Sequence, residues 1–277
     1  MKHDPRITPC RDGIAARSLE GILEAEVYLD PKAMSCVAAA TAIRSAPDAN
    51  SEQMDQLLFG ERFEVLEEEG GWLFGQAARD GYVGFAEAAA LGPVAPMPTH
   101  RVSGLRTYAF AEASIKTRAS GPYSINSLVA VEAVEGKLAK VAGGGWMTAD
   151  HLSPIGWFEQ DWAAVAERFV GAPYLWGGRE SLGLDCSGLV QQALFACGYA
   201  CPRDTDQQQE MGVEIAPAEF GRGDLVFWTG HVAIGLGDGR IVHANGHHMA
   251  TAIEPLSEAI ARIGSTGSQP VSYRRVT

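Results

Sequence analysis

The chain has 277 residues, of which 46% are hydrophobic and 20% are charged, so it is expected to bury sizeable cores and to form two or three domains. Its formal net charge of -12 argues against nucleic acid, an anionic membrane or an anionic wall polymer as the main partner. No uninterrupted apolar run approaches about 18 residues, so no transmembrane helix is predicted.

The N-terminal segment, residues 1–32, is interrupted by charge too often to hold the hydrophobic stretch of a secretory signal peptide. The interrupting residues include Asp4, Arg6, Arg11, Asp12, Arg17, Glu20, Glu24 and Glu26. We therefore expect a cytoplasmic protein. Residues 14–23 are predicted to form a short helix, whose charged side chains face solvent rather than a site.

The next part of the chain contains a weak internal repeat, with copies at residues 33–93 and 100–155. Both copies end alike, in Leu91-Gly92-Pro93 and in Leu152-Ser153-Pro154. Short β-type segments separated by glycine and charged turns predict a small β-barrel for each copy. The proline-rich stretch 93–98 is the expected linker between the two barrels.

Five cysteines make an odd count without any C-x-x-C pair, which predicts reduced thiols rather than a disulfide framework. They are Cys10, Cys36, Cys186, Cys197 and Cys201. The alternative is a zinc site built from Cys197, Cys201 and the histidines at 243, 247 and 248. That set lacks the closely spaced ligand pairs of structural zinc sites, so no metal is predicted.

A helix is predicted to begin at Cys186, because apolar residues follow it with helical spacing. Asp185 is a good N-cap residue, which places Cys186 in the first helical turn. Unpaired backbone N–H groups and the helix dipole favour an anion there and are expected to lower the pKa of the thiol. Cys186 is therefore the predicted nucleophile.

Two histidines are predicted to lie on one β-hairpin, formed by residues 231–236 and 240–244. A two-residue turn would direct them to opposite faces of the sheet. A three-residue loop over 237–239, or one bulge, would instead place them diagonally on the same face. We predict the second arrangement, with His231 as general base for the thiol and His243 orienting it.

Several strings within residues 160–277 resemble those of the NlpC-type cysteine peptidases, the papain-like hydrolases of bacterial cell-wall peptides. In chain order they are Tyr174-Leu175-Trp176-Gly177-Gly178, Asp185-Cys186-Ser187-Gly188, Gly223-Asp224-Leu225-Val226-Phe227-Trp228, Gly230-His231-Val232-Ala233-Ile234 and Ile241-Val242-His243-Ala244. The twelve-residue spacings from Tyr174 to Cys186 and from His231 to His243 are those of the family. The resemblance implies that the Tyr174 hydroxyl helps to hold the oxyanion.

The resemblance also implies an α+β fold with a papain-like catalytic domain over residues 158–277. In that fold a helix that carries the cysteine at its start packs on an antiparallel sheet. The preceding copies, 33–93 and 100–155, look like bacterial SH3-like barrels, and the first copy fits better.

Within the family, the chain resembles γ-D-glutamyl-L-diamino-acid endopeptidases (dipeptidyl-peptidase VI), whose first barrel closes one end of the catalytic cleft. Their aspartate that pairs with the substrate's free amino group corresponds to Asp204, and their barrel tyrosine corresponds to Tyr82. The alternatives are a helix cap for Asp204 and plain barrel core for Tyr82. Other residues expected near the substrate are Asp185, Ser187, Arg203, Thr205 and Glu52. For Asp185 the alternative is that it serves only as the helix cap.

The implied activity is hydrolysis of the bond between γ-D-glutamate and an L-diamino acid, either meso-diaminopimelate or lysine. The substrates are peptidoglycan-derived tripeptides or tetrapeptides with a free N-terminal L-alanine, and L-Ala-γ-D-Glu is released during recycling of wall peptides. No cofactor is implied. The alternatives are a secreted wall-binding autolysin that acts on polymeric peptidoglycan, a binding module without catalysis, and an acyltransferase on the same core.

Overall fold

In a computed structural model, which describes residues 3–277, the chain divides into two units: one ends at Ile155 and the other begins at Gly156. Residues 1 and 2 of the predicted N-terminal segment lie outside the described residues. None of the helices in residues 3–277 is both long and apolar enough to cross a membrane.

The N-terminal segment forms a three-stranded sheet in place of the predicted helix over 14–23. Its strands are β1 (Cys10–Arg11), β2 (Ile14–Ala16) and β3 (Val27–Leu29). Only Arg17–Leu19 make a 3₁₀ turn, and Gly21 then takes a left-handed conformation with φ +78°. The helix prediction is wrong because β2 pairs on both sides and buries Ala16 beside Phe74 and Phe85, whereas so short a helix gains little to offset its nucleation.

The first repeat copy folds as a seven-stranded sheet in the order β10-β4-β7-β8-β9-β5-β6. Its strands are β4 (Lys32–Cys36), β5 (Ala40–Arg44), β6 (Gln53–Leu58), β7 (Arg62–Glu69), β8 (Trp72–Ala77), β9 (Val83–Glu87) and β10 (Leu91–Gly92). Alternation along β7 places Phe63 and Val65 in the core while Arg62 is exposed. The sheet is open, so its hydrogen bonds do not close the expected barrel.

The second copy forms a three-stranded sheet, β14-β11-β18, and a five-stranded sheet, β13-β12-β17-β16-β15. Its strands are β11 (His100–Val102), β12 (Arg106–Phe110), β13 (Ala119–Ser124), β14 (Leu128–Val129), β15 (Val131–Glu135), β16 (Leu138–Val141), β17 (Gly145–Thr148) and β18 (Leu152–Pro154). Each copy ends in a strand, a 3₁₀ turn (Ala88–Ala90 or Ala149–His151) and a last strand paired with the first strand of its own copy. The weak sequence repeat therefore corresponds to a structural one.

A side chain of the first copy completes the core of the second. Phe59 packs edge-on against Tyr123 with ring centroids 5.0 Å apart, among the buried residues of the second copy. Its carbonyl accepts a hydrogen bond of 2.9 Å from the Leu128 N–H. The next residue, Gly60, has φ +80°, and a Cβ atom there would lie 2.0 Å from the Leu128 carbonyl oxygen. Only glycine allows the two copies to approach this closely.

Gly60→Ala is therefore expected to lower the free energy of unfolding by about 2–4 kcal/mol, from left-handed strain plus the forced shift of the Leu128 backbone. Gly71→Ala is the matched control, because Gly71 also has positive φ but has nothing within 4 Å of an added Cβ. Urea unfolding of both variants measures the difference. Equal losses of stability would contradict the close contact.

The second unit is built on a six-stranded antiparallel sheet in the order β21-β26-β22-β23-β24-β25. A separate two-stranded sheet, β19-β20, precedes it in the sequence. Its elements are α1 (Trp162–Glu167), β19 (Arg179–Glu180), β20 (Gly183–Leu184), α2 (Cys186–Ala196), α3 (Thr205–Gln208), β21 (Val213–Glu214), β22 (Leu225–Trp228), β23 (His231–Gly235), β24 (Arg240–Asn245), β25 (Ala250–Pro255), α4 (Leu256–Gly264) and β26 (Ser272–Arg275). Every residue of α2 is buried, and the helix contacts β23 and β24.

Candidate active site

Cys186 is the first residue of α2, and Asp185 caps that helix, as the sequence predicts. One carboxylate oxygen of Asp185 accepts the Gly188 N–H at 2.8 Å, which satisfies an N–H group that the helix leaves unpaired. The other oxygen accepts the Gly177 N–H at 2.9 Å. Asp185 therefore fixes the start of the helix to the glycine turn that follows Tyr174.

The environment of the thiol opposes ionisation, contrary to the sequence expectation. Burial first, and then the charge of Asp185, raise the pKa of Cys186 to about 12. Backbone N–H groups of Val232 and Ser187 donate to the sulfur and act in the opposite direction, as does the charge of Arg203. The expected lowering of the pKa is wrong because the cysteine is only 6% exposed, and desolvation outweighs the helix terminus.

The two predicted histidines are brought together by the hairpin of β23 and β24. Pairing of Ile234 with Val242 and of Gly235 with Ile241 leaves a three-residue loop, so the register prediction is confirmed. His231 and His243 consequently lie on the same face, and His231 Nε2 is 2.8 Å from His243 Nδ1.

His231 directly precedes Val232, a residue that contacts the thiol. The Val232 N–H, which donates to the Cys186 sulfur, belongs to the residue after His231, so the start of β23 lies against the sulfur. Burial, followed by the charges of His243 and Arg262, lowers the pKa of His231 to about 3. The imidazole is therefore neutral at neutral pH, and Nδ1 is its ring nitrogen that does not contact His243.

A third strand adds a carboxylate that sequence reasoning missed. Glu254 on β25 has its Oε1 atom 2.7 Å from His243 Nε2, and Arg262 of α4 pairs with the same carboxylate oxygen. Pairing of β24 with β25 sets Glu254 opposite Ile241, diagonal to His243 on the same face. The hairpin motif does not include Glu254, and only the pairing of β25 with β24 identifies this residue.

Arg203, Asp185 and Ser187, predicted to lie near the substrate, form one buried network. The Arg203 guanidinium donates to both Asp185 oxygens, at 3.0 and 2.6 Å, and to the Ser187 hydroxyl at 2.7 Å. Ser187 in turn donates to Asp185 at 3.2 Å. A buried carboxylate requires such a counter-charge, and this pairing supports the cap of α2. Contact of these residues with substrate stays a prediction.

The remaining predicted residues of the second unit are Tyr174, Asp204 and Thr205. Burial and the charges of Cys186 and Asp185 raise the pKa of Tyr174, which keeps its hydroxyl protonated. Asp204 is the N-cap residue of α3, and its N–H donates to the Gln207 side chain at 3.4 Å. Thr205 lines a cavity of 260 Å³ together with Trp228, Thr229 and Gly230, just before His231 in the chain.

Two predicted residues belong to the first repeat copy. Tyr82 is 3% exposed and packs in the hydrophobic core of that copy. This is the placement that the alternative interpretation, plain barrel core, predicts. Glu52 is exposed immediately before β6, and its carbonyl accepts the Ser45 N–H. Their roles toward substrate stay predictions.

One group of metal-ligand side chains occurs within residues 3–277, and it overlaps the histidine pair. Donor atoms of His243, His248 and Glu254 lie within 4.8 Å of one another. The group contains neither Cys197 nor Cys201, so the alternative zinc site is not formed in the described residues. Arg262 already pairs with Glu254, and its positive charge opposes a bound cation.

Comparison with known proteins follows the same division of the chain. Residues 171–263 match the model of the NlpC/P60 family, and residues 43–91 match that of the bacterial dipeptidyl-peptidase Sh3 domain. A solved NlpC/P60 family protein from Bacillus cereus ATCC 10987 has a TM-score of 0.77 at 19% identity, covering 88% of this chain and 99% of that one. That likeness establishes the fold.

Two of the curated relatives match most of this chain and most of their own length. The gamma-D-glutamyl-L-lysine dipeptidyl-peptidase of Bacillus subtilis (strain 168) is 27% identical over 226 residues, 74% of this chain and 76% of that protein. Dipeptidyl-peptidase 6 of Lysinibacillus sphaericus is 27% identical over 226 residues, 72% and 82% of the two chains. The peptidoglycan endopeptidase RipB of Mycobacterium tuberculosis is 34% identical over 107 residues, 32% of this chain and 44% of that protein.

Proposed function

Because this chain carries an NlpC/P60 domain behind a bacterial dipeptidyl-peptidase SH3 domain, we propose that it is a cysteine peptidase for γ-D-glutamyl-L-diamino-acid bonds. The observation that carries the proposal is the chain of contacts from the Cys186 sulfur to β23 and from His231 to His243 at 2.8 Å. It supplies a thiol, a neutral base and a group that orients the base.

In the proposed reaction Cys186 attacks the carbonyl carbon of the γ-D-glutamyl amide. His231 Nδ1 takes the thiol proton and then gives it to the departing amine of the diamino acid, which leaves a thioester. Since burial holds the resting pair neutral, proton transfer accompanies attack rather than preceding it. Water, deprotonated by His231, then hydrolyses the thioester and restores the thiol.

Two donors are assigned to the oxyanion that forms during attack. One is the Cys186 backbone N–H at the start of α2, and the other is the Tyr174 hydroxyl. The raised pKa of Tyr174 supports this role, because only a protonated phenol donates a hydrogen bond.

Recognition of a free N-terminal L-alanine is assigned to Asp204. A charge-assisted pair between carboxylate and ammonium contributes about 1.5–3 kcal/mol. An acetylated or sugar-linked N-terminus would leave that carboxylate without its partner and so disfavour polymeric peptidoglycan. The product is L-Ala-γ-D-Glu.

We place the reaction in the cytoplasm, in recycling of wall peptides from which the sugar has been removed. The proposal is supported by the five cysteines, all of which are free thiols in the structure. Free thiols fit a reducing compartment, where disulfides are rare.

The test compares L-Ala-γ-D-Glu-diaminopimelate with its N-acetylated form, using wild type and two variants. We expect Cys186→Ala to lose turnover of both peptides. Asp204→Asn keeps a good N-cap for α3 while removing the charge, so it should lower kcat/KM for the free peptide by about 10- to 100-fold and leave the acetylated peptide little changed.

Equal cleavage of the two peptides by the wild type would overturn the amine-recognition part of the proposal and leave the thiol chemistry intact. Retention on insoluble sacculi with release of soluble fragments would favour the wall-binding autolysin instead.

A further inference from the structure

The third strand of the site gives Glu254 a role beyond structure. We propose that Glu254 is a positioning residue that acts through His243 to decide which nitrogen of His231 carries the proton. The inference rests on the proposed function, since it assigns His231 as the base, but it concerns a property of the resting protein that is measurable without substrate.

Three side chains on one face of β23, β24 and β25 form a continuous line. His231 Nε2 is 2.8 Å from His243 Nδ1, and His243 Nε2 is 2.7 Å from Glu254 Oε1. His243 is fully buried and Glu254 is 9% exposed, so water competes little for these contacts. The line ends at Arg262, which pairs with the carboxylate.

The order of donors along this line follows from the carboxylate. An ionised carboxylate only accepts, so His243 Nε2 must carry hydrogen and donate to Glu254. A neutral imidazole has one N–H, so His243 Nδ1 is an acceptor and His231 Nε2 must donate to it. His231 Nδ1 is then left with a lone pair, which is the state required to take the thiol proton.

The opposite order would disable the base. With Nδ1 of His243 protonated, that atom would donate to His231 Nε2, and the His231 proton would then reside on Nδ1. That tautomer has no lone pair for the thiol. Glu254 disfavours it because His243 Nε2, without hydrogen, would face the carboxylate lone pairs at 2.7 Å.

Arg262 disfavours protonation of the two histidines to their charged forms. Its charge pairs with Glu254 and also lowers the pKa values of both His231 and His243. The other charged or titratable groups that act on the two rings are Asp185, His247 and His248. His248 is held by Asn245, whose side-chain oxygen lies 3.0 Å from its Nδ1 atom.

The first measurement needs no variant. Nitrogen-15 NMR of the histidine rings in the wild-type protein at neutral pH should show both His231 and His243 neutral and protonated on Nε2. Protonation of His231 on Nδ1 in the resting protein would overturn the inference outright.

The variant Glu254→Gln tests the cause. An amide both donates and accepts, so it no longer discriminates between the two orders. We expect His231 to become a mixture of tautomers, the alkylation of Cys186 by iodoacetamide to slow by about 10- to 100-fold, and kcat to fall by a similar factor with KM little changed. Glu258→Gln is the matched control, because Glu258 is an exposed carboxylate on α4 and should leave all three readouts at wild-type values.

The outcomes separate the two proposals. Unchanged tautomers and alkylation in folded Glu254→Gln would overturn the positioning role while leaving the proposed function untouched. The expected tautomers and alkylation rates without cleavage of any γ-D-glutamyl peptide would overturn the proposed function and leave the positioning role standing.

Discussion

Replacing Arg203 by alanine is expected to lower the free energy of unfolding by about 3–5 kcal/mol, because it leaves a buried carboxylate without its counter-charge. Arg203 is 1% exposed and binds both oxygens of Asp185, which is itself nearly inaccessible to solvent. The same carboxylate caps α2 and holds Gly177. Loss of the pair thus weakens both of these contacts as well.

Arg203→Lys should recover only part of this loss, since an ammonium does not reproduce two parallel hydrogen bonds. Arg222→Ala is the matched control: Arg222 pairs with Asp161 and Glu167 at 2.7 and 2.8 Å, but at the surface. Such exposed pairs contribute less than about 1 kcal/mol. Denaturant unfolding of the three variants measures the difference, and similar losses for Arg203→Ala and Arg222→Ala would refute the buried-pair argument.

Replacing His231 by alanine is expected to lower kcat/KM on the γ-D-glutamyl peptide by at least about 10²–10⁴-fold. The thiol is buried and its pKa is about 12, so almost none of it is ionised at neutral pH without a base to take its proton. Alkylation of Cys186 should slow in parallel, because the same proton must leave. Folding should be preserved, as measured by the thermal unfolding midpoint.

His247→Ala provides the control for that variant, since His247 is exposed and its ring contacts only its neighbour among the described aromatic pairs, with centroids 4.8 Å apart. Near wild-type turnover is expected there. A His231→Ala protein that keeps its turnover would mean that another group serves as base, and the assignment of His231 would have to be abandoned.

The predictions that succeeded depend on local rules of the chain. A period of two along strands, combined with a loop of three residues, is enough to bring His231 and His243 to one face. An aspartate before an apolar helical pattern is enough to locate the start of α2 at Cys186. Both features require only neighbours in sequence.

The predictions that failed depend on what the rest of the fold adds. The pKa of Cys186 is raised rather than lowered, because the burial of the thiol depends on elements far away in the chain. Glu254 was missed because its role arises only when β25 pairs with β24. Residues 14–16 of the predicted helix formed a strand because β2 had pairing partners on both sides, which periodicity alone does not reveal.

Phe59 couples the stability of the two repeat copies. The first copy supplies this ring to the other's interior, and Arg79 adds a bridge by binding Glu61 at 2.8 Å and the Asn126 carbonyl at 3.0 Å. Excising residues 100–155 would strand a large aromatic ring in water. The second copy therefore acts as a folding partner for the first, and a transplant of either copy into another protein would have to include both.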